Sequence, residues 1–219
     1  GLSLGEFTAL AAADALGFKD GLGVVRRRGE VMQEACEASA GGMAAIVGLD
    51  EEAVRSVCDQ TGVSLANLNC PGQIVVSGDA DKMDAACDAA KTAGAKRAIP
   101  LPVAGAYHSP LMQPAQSGLG EILAKVELCE PSVPVYSNVT GQAHANARTI
   151  AGAMVEQVTS PVKWEACIHA MIADGVTRFI ELGPGTALTG FMRRIDRTIE
   201  VLNVGDCDSL AKAAEALNA

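Results

Sequence analysis

Basic charge is in short supply: 17 Lys and Arg stand against 26 Asp and Glu, leaving a net charge of −9 over 219 residues. Such a chain offers no basic footprint for nucleic acid and no polybasic patch for an anionic membrane. Long hydrophobic runs are also lacking, since no stretch approaches the roughly 20 apolar residues of a membrane span. No charged-then-apolar leader opens the chain. The Cys-x-x-Cys spacing is absent as well. The seven cysteines (Cys36, Cys58, Cys70, Cys87, Cys129, Cys167 and Cys207) are scattered and odd in number, which argues against a disulfide framework and a zinc site. A reduced, cytoplasmic setting without a metal is expected. Asn138-Val139-Thr140 matches a glycosylation sequon and, with no secretory route, reads as chance.

What is present is an ordinary globular composition, 49% hydrophobic and 20% charged, enough for a substantial core in one domain or two small ones. Periodicity and punctuation predict two opening helices, one running from Leu4 toward Gly17 and one with Asp20 as N-cap. Between 41 and 103 the order becomes β-α-β-β-α-β, the ferredoxin-like pattern, with a turn at Cys70-Pro71-Gly72. Then come a helix from Ser109, a strand over 133–138, helices around 148–158 and from Val162, and an α/β alternation to the end. The fold class is therefore α/β. Residues 41–103 form a small inserted domain, and residues 1–40 and 104–219 a discontinuous larger one.

Three features carry chemistry. Gly1-Leu2-Ser3-Leu4-Gly5 has the form of a turn that presents a nucleophilic serine at a helix N-terminus, where free N–H groups face a developing oxyanion. That turn needs a strand before it, and nothing precedes Gly1. A serine also needs a base. His144 lies in a polar stretch and His169 within a helical pattern, so both read as surface or packing residues. His108 sits in Leu101–Met112, between a strand and a helix opened by Ser109-Pro110, where a loop can deliver an imidazole. Third, within Arg26-Arg27-Arg28 only Arg28 falls on the stripe Leu22, Val25, Arg28, Met32, Cys36. A buried arginine requires an anionic partner. That partner is either an internal carboxylate or the carboxylate of a substrate.

GLSLGEFTAL, RRRGEVMQEA, NLNCPGQIVVSG, AGAKRAIPLPVAGAYHSPLM, VPVYSNVTG, SPVKW and ELGPGTALTGFMRRI together resemble the malonyl-CoA:acyl carrier protein transacylase family, over essentially the whole chain. The resemblance implies an α/β-hydrolase-like large domain with a ferredoxin-like insertion. It makes Ser3 the nucleophile, His108 the base and Gln157 the residue whose carbonyl orients His108. It gives Arg28 the malonyl carboxylate, Leu4 an oxyanion-binding N–H, and Tyr107 a selecting role as the bulky aromatic before His108. Malonyl-CoA and acyl carrier protein, with its phosphopantetheine thiol, are the implied substrates, with no cofactor, and a monomer is expected.

The sequence departs from the family in having Leu2 where histidine is usual. A family segment of roughly ninety residues ahead of the elbow, holding its N-terminal strands and a second oxyanion donor, has no counterpart, so the chain is expected to be the C-terminal part of a longer transacylase. A serine esterase and an inactive fragment are the alternative readings. Gly183-Pro184-Gly185 is expected to be a strand-to-helix turn rather than a phosphate loop.

Overall fold

The computed structural model describes residues 1–218 and shows a mixed α/β chain that divides into two compact units, 1–167 and 168–219. The first unit opens with α1 (Leu4–Ala12) and α2 (Phe18–Ala38). Asp20 lies inside the first turn of α2, and the N-cap is Gly17: the helix starts three residues earlier than an Asp20 cap would set it. The buried face of α2 also differs from the expected stripe. Arg28, Met32 and Cys36 are buried, but Val24 and Val31 complete the face while Leu22 is 54% exposed.

Residues 41–100 fold as β1 (Gly41–Val47), α3 (Glu51–Thr61), β2 (Ser64–Cys70), β3 (Gln73–Asp79), α4 (Met83–Thr92) and β4 (Arg97–Pro100). Local chemistry sets these limits. Asp50 caps α3 by accepting from Ala53 N–H, and Gly62 ends it in the left-handed conformation, φ 69°, which glycine adopts without strain. The four strands make one sheet in the order β2-β3-β1-β4, antiparallel throughout. Alternation gives the sheet two apolar faces. Ala44, Ile46, Ile74 and Val76 pack with Val54, Val57, Met83 and Ala86 from the two helices. Met43, Ala66 and Val75 point the other way, toward Leu101 and Tyr107.

The rest of the first unit contains α5 (Gln113–Leu123) and α6 (Ala147–Gln157), which share a core with α1 and α2 through Phe7, Leu10, Val24, Met112, Leu119, Ile150 and Met154. The expected strand over 133–138 is not a ladder. Its backbone folds back on itself, Ser137 N–H donating to Gln142 O and His144 N–H to Val135 O, with a single bridge between Tyr136 and Ala143. Helix α7 (Trp164–Ala173) runs through the division at Cys167. In the second unit β5 (Arg178–Leu182) and β6 (Glu200–Val204) pair in parallel, α8 (Ala187–Ile195) lies between them in sequence, and α9 (Cys207–Asn218) follows. Gly183-Pro184-Gly185 is the connection from β5 to α8, as expected. No helix among the described residues is long and apolar enough to cross a membrane.

Candidate active site

Ser3 sits immediately before α1 with φ 47° and ψ −101°, a conformation that L-residues rarely adopt. Both of its backbone polar groups are tied. Its N–H donates to Asn138 Oδ1 at 2.6 Å, and its carbonyl accepts from Gln157 Nε2 at 3.1 Å. Leu4 is the first helical residue, so its N–H has no acceptor inside α1 and points out of the helix beside the serine. The hydroxyl is 3.0 Å from His108 Nε2.

His108 is itself left-handed, φ 59°, in the loop that leads from β4 toward α5. Ser109 braces that loop, donating through Oγ to Ala106 O at 2.7 Å and accepting from Leu111 N–H. The loop lies tightly on α2, because a Cβ at Gly105 would overlap Cys36 Sγ. His108 Nδ1 lies 2.9 Å from the backbone carbonyl of Gln157. That carbonyl is available because Gln157 closes α6, and the last carbonyls of a helix lack intrahelical donors. With a carbonyl as acceptor, Nδ1 carries the proton and Nε2 faces the serine with its lone pair. Burial pulls the imidazole down from 6.5 to about 4; Arg28 pushes the same way and the bond to Gln157 opposes it.

Arg28 is buried and donates through one terminal nitrogen to Ser3 Oγ at 2.7 Å and to Gln157 Oε1 at 3.2 Å. Both acceptors are neutral oxygens. Its Nε is buried without a partner, and its guanidinium carbon is 5.4 Å from the centre of the Phe7 ring. Burial lowers the guanidinium below its ordinary value, with Glu6 and Tyr107 acting in the opposite sense. Ser3, Arg28, Tyr107 and His108 border one cavity of about 420 Å³, with Met32 and Gln33 of α2 and Met43 and Asn67 of the sheet. Tyr107 is half-buried there, its phenol pushed up by burial and by its neighbour Cys36. The structure thus brings together Ser3, Leu4, Arg28, Tyr107, His108 and the carbonyl of Gln157, which lie up to 154 positions apart.

Three further residues complete the site beneath Ser3. Glu6 is fully buried in the first turn of α1; its Oε2 accepts from Asn138 N–H at 3.0 Å and Gln157 Nε2 at 2.7 Å. Its Oε1 lies 2.9 Å from Nε2 of His144, whose side chain is 2% exposed. His144 is therefore not on the surface but a buried partner of Glu6. Asn138, which reads as a chance sequon in the sequence, holds the elbow. No group of three or more His, Cys, Asp or Glu side chains among the described residues could hold a metal ion.

Known acyl transferases resemble the chain over nearly its whole length. A family model described as the acyl transferase domain matches residues 1–214. The chain is 46% identical over 222 residues to the malonyl CoA-acyl carrier protein transacylase of Bacillus subtilis, covering 99% of this chain and 70% of that protein. A crystal structure of the malonyl CoA-acyl carrier protein transacylase from Clostridium perfringens superposes with a TM-score of 0.96 at 40% identity, over 100% of this chain and 70% of that one. A malonyl-transacylase solved in complex with its type II polyketide-synthase acyl-carrier protein gives 0.94 at 39% identity, over 98% and 71% of the two chains.

Proposed function

The chain belongs to the acyl transferase domain family, and from that premise we propose that it moves malonyl groups from malonyl-CoA to the phosphopantetheine thiol of acyl carrier protein, as its relatives' names describe. Ser3 Oγ attacks the thioester carbonyl while His108 Nε2 takes the hydroxyl proton. The negative charge that develops on the carbonyl oxygen faces the Leu4 N–H and the N-terminus of α1. Collapse expels the CoA sulfur, which leaves as a thiol with the proton from His108, and malonyl-Ser3 remains. The carrier-protein thiol then gives its proton to His108, attacks the ester carbonyl, and Ser3 Oγ departs to recover that proton. Gln157 O keeps Nδ1 protonated through both halves, and Tyr107 narrows the cavity beside the acyl chain.

The observation that carries this reading is Arg28: a buried guanidinium whose hydrogen bonds reach only neutral oxygens, opening on the cavity that holds the Ser3–His108 pair. Glu6 acts on Arg28 only at a distance, through the Gln157 amide, so a malonyl carboxylate supplies the directly bonded anionic partner, and the guanidinium fork suits it. Sheet order and helix placement over 41–103 support a ferredoxin-like inserted domain. Residues 1–40 and 104–219 are assigned, by the same family reading, to a hydrolase-like catalytic domain. A cytoplasmic setting is supported by seven cysteines that are all thiols. Intact-mass measurement after mixing with malonyl-CoA tests the proposal: an adduct of one malonyl group is expected, absent in Ser3→Ala. A folded protein that takes no adduct under these conditions would overturn it.

A further inference from the structure

The carboxyl of Glu6 does not border the cavity that holds Ser3, yet it meets Asn138 through a backbone N–H and Gln157 through its side-chain amide. Asn138 and Gln157 both donate to its Oε2, and each also grips the elbow, Asn138 at Ser3 N–H and Gln157 at Ser3 O. Gln157 is the informative one. A side-chain amide has a donor end and an acceptor end, and which end faces where is set by its neighbours. Glu6 Oε2 and Ser3 O are both acceptors, so they demand the NH₂ end; the carbonyl end, Oε1, is then left facing Arg28, which donates to it. Reversed, the amide would put an N–H against the guanidinium and push it out of place. His144 fixes Glu6 in turn by engaging its second oxygen, and the pair is almost wholly buried.

We propose that Glu6, braced by His144, is a positioning residue for acyl-group selectivity: it dictates the orientation of the Gln157 amide and through it the placement of Arg28 for a substrate carboxylate. The inference rests on the malonyl-transfer reading above. It extends that reading from the residues around the acyl group to a carboxyl that never meets it.

The test compares Ser3 acylation by malonyl-CoA and acetyl-CoA, as kcat/KM from intact-mass time courses, in the full chain and four variants. Gln157→Met keeps the backbone carbonyl that holds His108 and removes the amide. It should lower the malonyl-to-acetyl ratio by about ten-fold, the scale of one hydrogen bond to a charged group. Glu6→Leu should slow both donors through the elbow and lower the ratio by a similar about ten-fold, since the amide is freed to turn. In the double variant the ratio should fall no further than in either single one, because both changes act through one amide. Glu6→Gln retains an acceptor for Gln157 and Asn138 and can turn its NH₂ to His144, whose other tautomer accepts; its ratio should stay within about three-fold of the parent.

An unchanged ratio in Gln157→Met, or independent and additive losses in the double variant, would overturn the proposal, as would a Glu6→Gln ratio as low as that of Glu6→Leu. Should Glu6→Leu fail to fold, Gln157→Met and Glu6→Gln still decide it. A parent chain that accepts acetyl and malonyl groups equally would instead count against the malonyl-transfer reading itself.

Discussion

Arg28 separates recognition from chemistry. If its guanidinium pairs with the malonyl carboxylate, Arg28→Ala leaves that charge desolvated and alone, a loss of roughly 2 to 5 kcal/mol for a buried charged pair. At about 1.4 kcal/mol per decade, kcat/KM for malonyl-CoA should fall by roughly thirty-fold to a few thousand-fold. Acetyl-CoA has no carboxylate to lose, so its transfer should hold steady or improve, and assays of both donors check the split. Equal losses would return Arg28 to an internal structural role. His108 makes a pH prediction. Its native value near 4 lies below the ordinary 6.5, so between those values the unfolded chain binds the extra proton and stability declines as the pH falls. The neutral base is also retained down to that range. The acid limb of kcat/KM for Ser3 acylation should therefore appear well below pH 6.5, and a midpoint at or above 6.5 would contradict the buried geometry.

At the scale of elements, the site depends on two irregular segments being held against helices: the elbow on α1 and the His108 loop on α2. The loop's closeness can be tested at Gly105, where a Cβ would overlap Cys36 Sγ and come 3.0 Å from Cys36 Cβ. Gly105→Ala must lift the loop or shift α2, a distortion on the scale of about 1 to 3 kcal/mol. A lower Tm and a loss in kcat larger than any change in KM are expected, and Cys36→Gly in the same chain should restore part of kcat by vacating the space.

Element order was readable because each helix and strand carries its own period, and the serine turn and His108 loop because turn chemistry is local. The strand expected at 133–138 was not, since an apolar alternation says nothing about which backbone will pair with it. Glu6, Asn138 and His144 were missed for a related reason: their roles arise from contacts more than 130 positions apart. One signal was available. Glu6 stands beside Phe7 and one turn before Leu10, so a carboxyl lies on an apolar helix face, the same anomaly that singled out Arg28 on α2.

For the molecule as a whole, the charge poses the remaining problem, because a chain at −9 is proposed to receive a carrier protein, and the family resemblance implies an acidic one. Net charge would repel it, so association needs a local basic surface. In the second unit, Arg193, Arg194 and Arg197 border a cavity of about 410 Å³ together with Asp196. Asp196 is already engaged: Thr198 donates to it through both N–H and Oγ1 and holds its carboxyl below the usual range. Arginine outnumbers carboxylate around this cavity, on an otherwise acidic protein. Reversing two charges, Arg193→Glu with Arg194→Glu, should raise KM for acyl carrier protein by about ten-fold at low ionic strength and leave KM for malonyl-CoA nearly unchanged. The increase should shrink as salt screens the contact. A control with the same change in net charge, Lys82→Glu with Lys91→Glu beside the four-stranded sheet, distinguishes a docking patch from the overall field. If the control raises KM for the carrier as much as the arginine pair does, the effect belongs to net charge, and these arginines are ordinary surface residues.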